Sequence, residues 1–330
     1  MARLRLTLAT TVTDRSQAVL DGRIPIEGCE VVAMPGGGHD IFRRTLADKA
    51  FDIAELSMSS YLVAISRGDT DYVAIPVFLS RAFRHASIYI RKDRGIASAA
   101  DLAGRHIGVE QYQQTAGLWV RGMLRDQYGV DTRGVHWRTG GLEKPDAAGE
   151  RTRISPAGVD LQPVASGKTL NGMLLDGELD ALIVPPVPSS MRTHPDTVGR
   201  LFPDYVAQEQ RYFMLTGMFP IMHTVVIRRS LCDVHPWLPA AVYAAFGQAK
   251  AEALAALTQT NINRVALAWC AADAARTREV LGDRMWAYGL PASRHEVEAM
   301  LRYSLHDGLL SREMTPQELF HPATHALADS

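Results

Sequence analysis

The chain has little to staple it covalently. Its 330 residues hold three cysteines, Cys29, Cys232 and Cys270. They are far apart and form no CxxC pair, which excludes a disulfide framework and a zinc knuckle. Three small buried residues in a reducing compartment are expected instead. Net charge is also lacking: 35 Lys and Arg stand against 36 Asp and Glu. No global field then favours nucleic acid or an anionic membrane. No apolar run reaches the ~18 residues of a membrane span. The opening residues alternate, Leu4, Leu6 and Leu8 against Arg3, Arg5 and Thr7. That is the period of a strand, not the continuous run of a secretory signal. A folded cytoplasmic protein is expected from the first residues on.

Familiar catalytic signatures are missing too. Gly167-Lys168-Thr169 imitates the end of a phosphate loop, but Gln162 stands where its first glycine belongs. Gly36-Gly37-Gly38 lacks dinucleotide-fingerprint spacing and reads as a turn. His295-Glu296 has no second histidine at zincin spacing.

What is present is alternation. Strand-like runs occur at Leu4–Leu8, Cys29–Met34, Phe51–Leu56, Tyr72–Phe78, Ser87–Arg91, His106–Val109, Leu179–Val184 and His223–Arg229. Helical segments intervene: one capped by Asp40, one opened by Ser57, one capped by Thr115 and ended by Gly129. Residues 138–160 read as a long loop. The pattern predicts an α/β fold, and the length predicts two domains. The matched extended segments IYIRKD and VVIRRS suggest two crossings between lobes. One lobe is then discontinuous, 1–91 with 222–330, and the other is 92–221.

In open α/β sheets ligands sit beyond the carboxyl ends of strands. Four polar clusters fall there. Glu55 and Ser57 could cap a helix or meet a ligand. Arg81 and Arg84, beside His85, could be surface charge or an anion site. Tyr112, Thr115 and Trp119 could be packing, a helix cap, or the walls of an aromatic site. His223 could be a core histidine. His39, His85 and His223 could together hold a divalent metal.

Taken together the clusters carry a resemblance. FDIAELSMSSYL, IPVFLSRAFRHASIYIRKDRGI, DLAGRHIGVEQYQQTAGLWVRGMLRDQYGV, GELDAL and FPIMHTVVIRRSL resemble the 4,5-dihydroxyphthalate decarboxylase family over nearly the whole chain. The layout is shared more loosely with type II periplasmic solute-binding proteins. The first loop, Thr10 to Arg15, departs by lacking a Tyr-Asp pair. The resemblance implies a two-lobed type II periplasmic-binding-protein-like fold, with a ligand cleft between lobes and two hinge crossings. It also implies non-oxidative decarboxylation of 4,5-dihydroxyphthalate, or a close hydroxylated aromatic acid, to protocatechuate in phthalate degradation. The substrate is then a small aromatic dicarboxylate, and no nucleic acid or membrane partner is expected. A homo-oligomer is compatible with the sequence.

The chemistry distributes roles. Arg81 and Arg84 would clamp adjacent carboxylates, faced by the Thr115 helix terminus. Ser57, Tyr112 and Trp119 would complete the substrate site. His223 or His85 would protonate the ring carbon, and Glu55 would partner a ring hydroxyl. No cofactor is expected, because the ring supplies its own electrons; a histidine-held divalent metal is the competing version. The alternative function is a solute-binding or sensor protein of the same fold that captures a carboxylate without chemistry.

Overall fold

The computed structural model describes residues 3–146, 154–282 and 285–329. The chain divides into two compact units. The first comprises Met1–Arg81, Ile221–Glu298 and Met314–Ser330; the second comprises Ala82–Pro220 and Ala299–Glu313.

The first unit is built on a five-stranded mixed sheet. Its strands are β1 (Leu4–Ala9), β2 (Cys29–Ala33), β3 (Ile53–Ser57) and β4 (Tyr72–Arg81), with β11 (Ile221–Arg228) returning from late in the chain. The order is β2-β1-β3-β11-β4. β1 runs parallel to β2 and β3, whereas β11 is antiparallel to both neighbours. β3 is buried along its whole length, as a central strand covered on both faces must be. This explains its continuous apolar run, broken only by Glu55 and Ser57. Helices Asp14–Leu20 and Leu238–Leu257 pack on one another. The C-terminal segment is tied back by Tyr61, whose hydroxyl donates to the Leu319 carbonyl and accepts from the Ala74 amide.

The second unit carries a six-stranded sheet. Its strands are β5 (Ile88–Arg91), β6 (His106–Val109), β7 (His136–Thr139), β8 (Leu161–Pro163), β9 (Ala181–Ile183) and β10 (Val198–Arg200). The order is β10-β5-β9-β6-β7-β8. Tyr89, Leu170, Leu174, Leu179, Leu182 and Val184 form its core. Gly108 of β6 admits them, since a Cβ there would lie 2.7 Å from the Leu182 side chain.

The dividing points differ from the sequence expectation. β5 was expected at the end of the first lobe; its hydrogen bonds go to β9 and β10 of the second sheet. Residues 299–313, expected in the first lobe, belong to the second unit. There Tyr303 fills the notch left by Gly122, where any Cβ would lie 2.3 Å from the ring. Asp307 pairs with Arg121 at 2.6 Å, and both side chains are fully buried. Local differences also follow from geometry. Gly37, not Asp40, precedes the helix Gly38–Asp48, and Gln114, not Thr115, precedes the helix Thr115–Tyr128. Cys29 and Cys232 are buried as expected, and Cys270 is partly exposed. Of the expected loop 138–160, residues 138–139 instead end β7; the rest is described at 140–146 and 154–160, and residues 147–153 lie outside the described part. Among the described residues no helix is long and apolar enough to cross a membrane.

Candidate active site

The carboxyl ends of β1, β3 and β4 share one edge of the first sheet with the start of β11. Side chains repeat every second residue along a strand. Register then decides which residues meet. His223 lies opposite Ser57, and Val225 opposite Glu55. His223 and Glu55 are therefore diagonal neighbours on one face. Their contact is short: His223 Nδ1 to Glu55 Oε1 is 2.7 Å. Because a carboxylate accepts, Nδ1 carries the proton in this contact, and Nε2 is left for other chemistry.

Glu55 is anchored on its other side by the loop after β1. The Thr11 amide and the Thr11 hydroxyl both donate to Glu55 Oε2, at 2.7 and 2.6 Å. The Glu55 side chain is 1% exposed and that of His223 is 25% exposed. The carboxylate thus stands behind the imidazole, and the imidazole reaches solvent. The Phe42 ring meets the His223 ring edge-on at 4.8 Å between centroids. Gly38 leaves room for Phe42 and Thr11: a Cβ there would be 3.2 Å from Phe42 and 3.6 Å from the Thr11 methyl. Ser57 caps the helix Met58–Ser66, accepting from the Ser60 amide.

Burial alone would push the Glu55 carboxyl up. The hydrogen bond and charge of His223, then the two Thr11 donors, outweigh burial and hold it below its ordinary value. A carboxyl lowered by folding stabilises the protein above the unfolded value, near 4.5, and loses that contribution as pH falls through the lower folded value. The melting-temperature gap between wild type and Glu55→Gln is therefore expected to close as pH falls from that value through the lower folded one. A gap that widens on acidification would contradict this assignment.

The structure places the other candidates as follows. Arg81 is in the first unit and is consumed by the core. Its side chain, 1% exposed, meets Glu296 Oε1 at 3.0 Å and donates to Ser293 Oγ at 2.7 Å and the Ala287 carbonyl at 2.9 Å. These bonds tie β4 to the helix Leu290–His306. Glu55, expected to meet a ring hydroxyl, has given each oxygen to a protein donor and holds His223 instead. Tyr112, expected as a wall of the site, is 1% exposed and stacked on the Arg121 guanidinium at 3.9 Å, with burial pushing its hydroxyl up to about 12.

In the second unit, His85 is 1% exposed among the rings of Tyr128, Phe202 and Tyr212. Burial holds its pKa down at about 4, so the ring is uncharged at neutral pH and is a poor acid. Arg84 is lowered to about 10 by burial, against the opposing charges of Glu209 and Tyr89; it remains a cation. Arg84, His85 and Trp119 line a small pocket of about 10 Å³, room for about one water. Trp119 is otherwise packed edge-on to Tyr303. Thr115 is buried as the first residue of its helix. His39 is exposed in the first turn of Gly38–Asp48. Of the three candidate metal ligands, His39 and His223 belong to the first unit and His85 to the second. Among the described residues no group of three or more His, Cys, Asp or Glu could hold a metal ion. Thr11, Phe42 and Gly38 were not singled out from the sequence; Thr11, two residues past β1, could have been found by the same strand-end rule.

A mixed α/β sheet in each unit, with polar side chains at strand ends, defines the class. The fold is that of periplasmic solute-binding proteins. It matches the aliphatic sulphonate binding protein SsuA of Escherichia coli over 99% of this chain and 100% of that one, with a TM-score of 0.53 and 12% identity. No family model matches the chain. Two curated relatives fix the family. The chain is 41% identical to the 4,5-dihydroxyphthalate decarboxylase of Comamonas testosteroni over 98% of both chains. It is 42% identical over 204 residues to the protein of that name from Pseudomonas putida, covering 62% of this chain and 79% of that one. The chain belongs to the 4,5-dihydroxyphthalate decarboxylase family.

Proposed function

We propose that this chain is a carboxy-lyase that converts 4,5-dihydroxyphthalate to protocatechuate and CO₂ without oxidation. Identity of 41% over 98% of the relative supports the substrate. The carboxylate-held imidazole of His223 is the observation that carries the chemistry. Capture of a solute needs donors only; an imidazole locked through Nδ1 is built for proton transfer at Nε2.

The ring hydroxyl para to the departing carboxylate gives its proton to water, to be taken back by the product phenolate, and raises electron density at the carbon that bears the carboxylate. His223, protonated on both nitrogens, delivers the Nε2 proton to that carbon. The carbon–carboxylate bond then breaks, CO₂ leaves, and its electron pair restores the aromatic ring. One proton is consumed and one CO₂ released, with no net redox change. Glu55 holds the imidazolium and its orientation throughout. Arg84 is proposed as the carboxylate-holding cation. The three cysteines are unpaired, which suits a reducing compartment, and we place the activity in the cytoplasm.

Chromatography with a short panel tests this reading. The dihydroxylated diacid is expected to be consumed with and without a chelator, and unsubstituted phthalate, which lacks the para hydroxyl, is expected to survive. Arg84→Ala is expected to lower kcat/KM about tenfold or more, the worth of one charged hydrogen bond. Consumption of unsubstituted phthalate at a similar rate would overturn the phenolate mechanism, and loss of activity on chelation would install the metal version.

A further inference from the structure

We infer that Thr11 is a positioning residue of the reaction, acting on His223 through Glu55; the inference rests on the proton-transfer role proposed for His223. Glu55 is a buried carboxylate with two oxygens and two clients. Oε1 accepts a hydrogen bond from His223 Nδ1 at 2.7 Å. Oε2 accepts two hydrogen bonds from one residue, from the Thr11 amide and hydroxyl. A carboxylate side chain can turn about its last bond. Two donors converging on Oε2 stop that rotation and aim Oε1 at the imidazole. They also supply charge-assisted hydrogen bonds that help keep a 1% exposed group ionised.

Thr11 is itself fixed. Ser16, fully buried, donates its hydroxyl to the Thr11 carbonyl at 2.7 Å and accepts from the Thr13 amide at 2.9 Å. The Thr11 methyl faces Gly38, and Gly38 also leaves room for Phe42, the ring that meets His223. A chain of contacts therefore runs from Ser16 through Thr11 and Glu55 to the imidazole. The amide donor survives any side-chain change; the hydroxyl does not.

The test compares Thr11→Val, which keeps the shape, with Thr11→Ser, which keeps the hydroxyl. Turnover of the diacid by Thr11→Val is expected to fall about tenfold in kcat with KM within about twofold, the pattern of an interaction that matters in the transition state. Thr11→Ser is expected to recover most of that loss. A kcat for Thr11→Val within about twofold of wild type, or an equal loss in both variants, would overturn the inference. Proton NMR keeps the test independent of turnover. The low-field His223 Nδ1–H resonance, assigned by its loss in His223→Gln, is expected to shift in Thr11→Val and return in Thr11→Ser. An unmoved resonance in Thr11→Val contradicts the Thr11 role even if the diacid proves not to be a substrate. A moved resonance in a protein that turns nothing over would retire the decarboxylation reading and leave the coupling standing.

Discussion

Arg81→Met is expected to unfold the first unit more readily, not to weaken substrate binding. The guanidinium is 1% exposed and its partner Glu296 is 9% exposed. Removing one member of a buried pair leaves the other charge in a poor solvent, at a cost of about 3–5 kcal/mol. Ser293 and the Ala287 carbonyl also lose that donor. Denaturant unfolding is the readout, with KM for the diacid measured on the folded protein. A second change separates pairing from packing: Arg81→Met with Glu296→Leu replaces the ion pair by apolar groups and is expected to recover much of the loss. An Arg81→Met protein of normal stability with a greatly raised KM would restore Arg81 to the substrate.

His223→Gln is expected to have the largest effect on rate. Glutamine can still donate to Glu55 Oε1, so the strand-end architecture survives, but it carries no transferable proton at the Nε2 position. A general acid is worth about 10²–10⁴-fold, and kcat is expected to fall by that factor. Binding of the diacid, followed by calorimetry, is expected to remain. Glu55→Gln is expected to fall between this variant and wild type, since the imidazole is kept and only its orientation and charge partner change. Little effect is expected from His85→Gln in the acid step, because an uncharged histidine with its pKa at about 4 is not an acid at neutral pH. Equal rate losses at His85 and His223 would contradict the division of roles.

Much of the fold is legible in the chain because strand signals are local. FDIAEL and HTVVIRR read as buried strands from apolar content alone, and both are strands of one sheet. Glu55 and His223 stand out as polar residues inside those runs. Their partnership does not, because it spans 168 positions and depends on the register between β3 and β11. The partner of Arg81 is hidden for the same reason. Beside Arg84 and His85 it looks like part of an anion site, and its true partner Glu296 is 215 positions away. The 299–313 excursion rests on Gly122, a missing side chain whose meaning appears only when Tyr303 fills the space. Tyr112 at a strand end suggested a site wall, and the Arg121 guanidinium beneath it makes it core. Patterns along the chain specify elements; pairings across it specify which polar residues are left for chemistry.

A decarboxylase of this family breaks a carbon–carbon bond, whereas a binding protein only holds its ligand. Release of labelled CO₂ from carboxyl-labelled 4,5-dihydroxyphthalate by the purified protein tests the difference most directly. One CO₂ and one protocatechuate are expected for each diacid consumed, with both lost together in His223→Gln while binding persists. Tight binding of the diacid by the wild-type protein with no CO₂ released would contradict decarboxylation.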